Sequence, residues 1–306
     1  MAETQFPAAL AACESYDARQ VQNAVDLVLD ACGWVPPRGR VLVKPNLLRA
    51  SPDCCTHPAV VAALCRRLID MGAHPVVADS PGFGSARGVA RAIGLDDALK
   101  PLGLEVQPFD SSAPVRLRSG GVLNAARLAL EADAVVSVPR VKAHAQIRLT
   151  LAVKNLFGCV CGLGKAMAHA RRGLTVESFC DDVADLLRAL PPAAALADGV
   201  TAMHITGPSG GKPYHLGLIG ASASAPAFDC ALYAVLGARP EQIPLWEALI
   251  RAGIAGAAAE PSFPLKKPEE FNGRGFVMPS ETADISFRPL RLAVSIARRL
   301  WKGMTS

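Results

Sequence analysis

Residues 138–165, VPRVKAHAQIRLTLAVKNLFGCVCGLGK, set Lys142, His144, Lys154, Asn155 and Lys165 in a segment otherwise dominated by apolar residues and glycine. A β-branched run at 134–138 precedes it, and Lys154-Asn155 leads through Leu156-Phe157 into Gly158 and a glycine-rich loop. Charged heads at this density rarely serve a core. The stretch therefore reads as a site for something anionic just past a short strand, with Lys154-Asn155 opening a helix or turn into the loop.

Short apolar runs recur on both sides of it, at 8–12, 41–43, 75–78, 193–197 and 215–219. Helical patterns separate many of them. Asp17 is a candidate N-cap for a helix through Leu29, and Thr56 caps another running to Met71, with Pro58 in its first turn and Gly72 as its stop. Further helices are expected at 123–131, 176–190, 226–236 and 245–252. Strands alternating with helices predict an α/β fold, with a layered, largely parallel or mixed sheet flanked by helices. One α/β domain is expected over residues 1–258, followed by an extended, proline-punctuated C-terminal arm at 259–306.

Polar residues sit just after the runs: Lys44 and Asn46 after the second, Asp79 and Ser80 after the third, Lys142 and His144 after the fourth, and Asp198-Gly199 after the fifth. In open α/β sheets ligands bind outside the carboxyl ends of the strands. Four such ends point to one crevice.

The 306 residues suffice for a substantial core, and a net charge of +5 is too mild for a nucleic-acid footprint. No Lys/Arg run exceeds a pair, so groove binding lacks support. No apolar stretch reaches the roughly 18 residues that span a bilayer, so the chain is not expected to be transmembrane. Nine cysteines, an odd count, argue for reduced thiols and a cytoplasmic location. The box Leu10-Ala11-Ala12-Cys13 imitates a lipoprotein cleavage site, but nothing basic precedes it and the segment before it is too short for a signal core.

The series Val43-Lys44-Pro45-Asn46, Thr56-His57-Pro58, Asp79-Ser80-Pro81-Gly82, Val138-Pro139 with Lys142 and His144, Lys154-Asn155-Leu156-Phe157-Gly158, Lys165 with His169, and Asp198-Gly199 with Gly207-Pro208 resembles the domain of unknown function 362 family. The resemblance runs in order from about residue 8 to about residue 255. It implies an iron-sulfur or redox association, because many members carry a ferredoxin-like segment, and hence a separate ferredoxin-like protein as a partner. This chain departs there: it has no C-x-x-C-x-x-C-x-x-x-C-P run, and no cysteine follows Pro261.

Lys44, Lys142, Lys154 and Lys165 are candidate anion ligands, with Asn46, Thr56, His57, Ser80 and Asn155 as further ligand-binding residues; the bland alternative is solvated loop charge. His144 and His169 are candidate proton carriers, and His57 serves equally as a helix cap. Asp79 and Asp198 are candidate catalytic carboxylates, against which stands an Asx-turn or cap role. Cys159 and Cys161, with Cys54 and Cys55, could hold zinc or an iron-sulfur cluster if their loops met, although C-x-C and C-C spacings are weakly diagnostic. Cys65, Cys180 and Cys230 read as core.

Neither glycine-lysine stretch is a nucleotide loop. Walker spacing would put glycine where Cys159 and Thr206 stand, and Ala166 and Pro213 replace the magnesium-binding hydroxyl. In the arm, Leu290, Ala293, Val294, Ala297, Leu300 and Trp301 form the apolar stripe of a basic amphipathic helix that could dock on its own domain, a partner or an acidic membrane. Two functional readings follow. One is an enzyme binding a small carboxylate or phosphate; the other is a redox accessory whose cysteines hold a metal.

Overall fold

The computed structural model describes residues 6–161, 175–280 and 282. Lys165, His169, the 162–164 loop and the stripe at 290–301 lie outside the described residues. In chain order the elements are β1 (Ala8–Ala12), α1 (Ala18–Ala31), β2 (Arg40–Pro45), α2 (Pro58–Asp70), β3 (His74–Ala78), α3 (Ala86–Ala92), α4 (Leu95–Leu99), β4 (Val106–Gln107), β5 (Ser112–Arg116), β6 (Val122–Ala126), α5 (Arg127–Leu130), β7 (Ala134–Val138), β8 (Arg140–His144), β9 (Arg148–Thr150) and α6 (Ala152–Leu156). They continue as α7 (Val176–Ala189), β10 (Ala193–His204), β11 (Lys212–Ser222), α8 (Ala225–Leu236) and α9 (Pro244–Arg251).

A mixed sheet in the order β1-β11-β10-β7-β2-β3-β4 carries the fold, with β8 and β9 attached beside β10. The β10-β7-β2-β3-β4 stretch is parallel, whereas β11 runs antiparallel to both β1 and β10. Strand alternation sorts side chains onto two faces. Val41 and Val43 pack with Val21, Val25 and Val28 of α1 and Val60 and Leu64 of α2. Leu42, between them, faces the other layer with Phe179 of α7, Phe228 of α8 and Leu249 of α9. Helices thus cover both faces, as the alternating pattern predicts.

The run at 134–138 forms β7, and the residues that follow it form a further strand, β8, before β9 and α6. Pro139 has no N–H to give to a ladder and interrupts the run between β7 and β8; its carbonyl accepts the Asp198 N–H at 2.9 Å. β7 pairs with β2, while β8 turns away to pair with β10 and β9. Lys142 and His144 therefore lie on a second strand that is buried throughout, not in a loop after the first.

Two local expectations are corrected. Residues 123–126 belong to β6, paired antiparallel to β5, and only 127–130 are helical. Leu123 and Ala125 are buried while Val122 and Asn124 are exposed, which is strand periodicity. The N-cap of α2 is His57, whose Nδ1 accepts the Ala59 N–H at 3.2 Å, and not Thr56. Asp17 caps α1 as expected, accepting from the Arg19 and Gln20 N–H groups.

From Ser262 to Phe276 the chain stays against the body. The Ser262 carbonyl accepts from Ala8 N, Lys266 N donates to Leu10 O, and Phe271 and Phe276 are buried.

Candidate functional site

Two hydrogen-bonded groups meet at the carboxyl ends of the parallel strands. The first is built around Lys44, the penultimate residue of β2 and 1 % exposed. Its Nζ lies 2.9 Å from Asp79 Oδ1, just past β3, and donates to Asn155 Oδ1 at 2.9 Å and to Pro45 O at 2.8 Å. Asp79 is held by the backbone in turn: Oδ2 accepts the Leu47 N–H and Oδ1 the Ser80 N–H, both at 2.7 Å. Asn155, on α6, donates to Lys44 O and to Ser137 Oγ.

Gly158 explains the spacing of Lys154-Asn155-Leu156-Phe157-Gly158. A Cβ there would collide with Lys44 Nζ and lie 2.5 Å from Asp79 Oδ1. The glycine is present so that backbone can rest on the ion pair. Lys154 faces another way, its Nζ 4.9 Å from the Phe157 ring centroid and 5.2 Å from that of Phe179.

Asn46 joins this group to the second. Its Nδ2 donates to Asn155 Oδ1 at 3.1 Å, and its Oδ1 accepts from Lys142 Nζ at 2.6 Å. Lys142, also 1 % exposed, gives a second N–H to the Cys54 carbonyl at 2.8 Å. Among the described residues no carboxylate lies within ion-pair distance of it. Burial lowers its pKa to about 8.

Thr56 and His57 brace the same loop. The Thr56 hydroxyl donates to Val138 O at 2.6 Å and accepts from Asn46 N at 2.8 Å. Asp198 is fully buried within β10, next to a register shift between Gly199 and Thr201, rather than at a strand end. Its Oδ2 accepts the His57 N–H at 2.8 Å and lies 3.5 Å from Arg140 Nη1, and its Oδ1 accepts from Tyr16 OH at 2.7 Å. The Tyr16 and His57 rings stack at 3.7 Å with an 11° interplanar angle. Burial first, and then the Asp198 charge, push the Tyr16 phenol pKa upward; burial lowers that of His57.

The structure thus gathers Lys44, Asn46, Thr56, His57, Asp79, Ser80, Lys142, Asn155 and Asp198. His144 ends β8, its Nδ1 accepting the Gln146 N–H at 3.1 Å. Cys159 and Cys161 follow α6 and pack against β6, with Cys161 N donating to Asn124 O. Among the described residues no three His, Cys, Asp or Glu side chains gather as a metal ion requires.

Sequence reading passed over Tyr16, Arg140, Ser137 and Asp229. Asp229 is buried in α8, accepts the Ala152 and Val153 N–H groups at 2.7 and 3.1 Å, and so holds the start of α6. Burial raises its carboxyl to about 7. A lone carboxylate inside the apolar helix sequence APAFDCALYAVL was the available signal.

The family described as Domain of unknown function (DUF362) matches residues 41–234, well over half of the chain. A thylakoid-associated protein of Synechocystis sp. is 35 % identical over 282 residues, covering 90 % of this chain and 88 % of that protein. Two solved structures are more distant. The lactate racemase apoprotein of Thermoanaerobacterium thermosaccharolyticum shows 15 % identity and a TM-score of 0.41, covering 62 % of this chain and 50 % of that one. A Thermotoga maritima protein shows 11 % identity and a TM-score of 0.43, covering 81 % and 59 %. No helix of the described residues is long and apolar enough to cross a membrane. The chain belongs to the domain of unknown function 362 family.

Proposed function

We propose, for this member of the domain of unknown function 362 family, an enzyme that binds a small carboxylate or phosphate anion in the strand-end crevice, with Lys142 holding its charge. The observation that carries this reading is the Lys142 ammonium, removed from water and hydrogen-bonded among the described residues only to neutral oxygens. A desolvated cation is costly unless an opposite charge meets it. Lys44 and Arg140 already have their carboxylates.

Asp79 and Asp198 are committed to those cations and to backbone N–H groups, which suits them to fixing the crevice rather than to moving protons. His144, with Nδ1 engaged by Gln146 N, carries its ring proton on Nε2 when neutral and is the proton carrier of this reading.

The test is a thermal-shift screen of small carboxylates and phosphates. A stabilising anion should lose its effect in Lys142→Ala and keep most of it in Lys154→Ala, whose ammonium sits over aromatic rings. An unchanged shift in Lys142→Ala overturns the reading.

A further inference from the structure

Lys142 is the middle residue of β8, and the residue paired with it across the β8-β9 ladder is Thr150. Residues directly opposite in an antiparallel pair put their side chains on one face, with Cβ atoms roughly 5 Å apart. The core identifies that face. Val141, Ala143, Leu149 and Leu151 pack into the layer of α7 and α8, so Lys142 and Thr150 point to the opposite side, where Met203, the β10 neighbour of Lys142, packs with residues of α1 and α2. Thr150 is 4 % exposed, and among the described residues its hydroxyl has no hydrogen-bond partner. An unmade hydrogen bond at a buried hydroxyl costs free energy that valine, equally at home in a strand, would not incur. Lys142 spends two N–H groups, on Asn46 Oδ1 and Cys54 O, and has a third to give. Asn46 is only half-buried, so these unspent groups lie behind a side chain that solvent reaches.

We propose that Lys142 and Thr150 are the two arms of one carboxylate site, the ammonium donating to one oxygen and the hydroxyl to the other, and that the ligand is a monocarboxylate. The proposal rests on the anion-binding reading above and narrows it. Charge counting makes the choice. In this crevice Asp79 answers Lys44, Asp198 answers Arg140, and Arg49 is exposed, so the buried positive charge left over is the single one on Lys142. One carboxylate cancels it. A phosphate monoester brings about 1.5 to 2 negative charges at about pH 7, and the surplus would be stranded away from water. Two donors also match the two oxygens of a carboxylate. An ammonium is a point charge with rotatable donors, whereas threonine is stiff at χ1, so Thr150 sets how the carboxylate lies.

The test compares acetate, propionate, glycolate and benzoate with phosphate, methyl phosphate and malonate on the full chain, by thermal shift and titration calorimetry at about pH 7. The best monocarboxylate should bind the wild type at least about tenfold tighter than any of the three multiply charged anions. Thr150→Val keeps the shape and removes the hydroxyl, and should weaken that monocarboxylate by about tenfold or more. Without any anion the same variant should melt no lower than the wild type, because no hydrogen bond is lost with the hydroxyl. Thr150→Ser, which keeps the hydroxyl, should retain most of the affinity. Full affinity in Thr150→Val, or a lower melting temperature of that variant without anion, overturns Thr150 as an arm of the site while Lys142 and the anion-binding reading stand. Tighter binding of phosphate, methyl phosphate or malonate overturns the carboxylate class alone. If no anion of the panel binds, or if binding survives Lys142→Ala, the anion-binding reading fails and this proposal fails with it.

Discussion

Lys44 and Lys142 are one residue type at one burial, both near the carboxyl ends of strands in a single sheet, and their surroundings are opposite. Lys44 has a carboxylate, an amide oxygen and a carbonyl, with Gly158 pressed onto its end. Lys142 has an amide oxygen and a carbonyl, and a pair of thiols alongside. Asn46 touches both groups, so the difference does not reflect distance. The lesson is that burial alone does not set a lysine's surroundings; what differs is whether the fold has already supplied its counter-charge.

The comparison breaks most sharply in stability. Removing one partner of a buried ion pair leaves the other uncompensated, at about 3–5 kcal/mol. Lys44→Met and Asp79→Asn should each show a loss of that order in urea denaturation at neutral pH. Lys142→Met removes a charge that has no carboxylate, and should cost at least about 2 kcal/mol less despite orphaning two acceptors. Equal losses at the two lysines would erase the distinction. A smaller effect should follow Gly158→Ala. Lys44 could yield to the new methyl only by giving up contacts that hold it, which predicts a cost of about 1–3 kcal/mol; a silent substitution would show that the ion pair has slack.

The most gradual effects, at most about 1.4 kcal/mol for each pH unit, are in the pH profile and have opposite signs. Asp229 supports α6, and so the Lys44 group. Its carboxyl holds a proton to about 7 when folded and to about 3.9 when unfolded, so its contribution to stability falls as pH rises through that window. Lys142 loses its proton at about 8 when folded and near 10.4 when unfolded, so its contribution rises with pH across that interval. Relative to Asp229→Asn, the wild type should lose stability between about pH 5 and 7; relative to Lys142→Met, it should gain between about pH 8 and 10. A flat difference in either pair removes that group from the comparison.

Much of this was legible before any coordinates. Apolar runs followed by Lys44, Asp79 and Lys142 marked strand ends because a buried parallel strand writes itself as a hydrophobic run that must stop where polar loops begin. The split at Pro139 was visible only as a proline, since the sequence does not state which neighbour a strand chooses after its ladder is interrupted. The division of labour between the lysines was not legible at all. It depends on Asp79 meeting Lys44 rather than Lys142, a matter of sheet order. Tyr16 and Arg140 escaped for a similar reason: neither stands out locally, and both gain meaning from Asp198, which lies far along the chain.

That distance has a kinetic meaning. The contacts that make the crevice join residues 96, 111, 141 and 182 positions apart. Contacts of such separation require closing long loops, and they form late relative to local helices and hairpins. A growing chain that has not yet delivered β10 has no Asp198 to fasten Tyr16, His57 and Arg140 together. The crevice is therefore the last feature this chain completes, and under the proposed reading a bound anion would report that the whole sheet has closed.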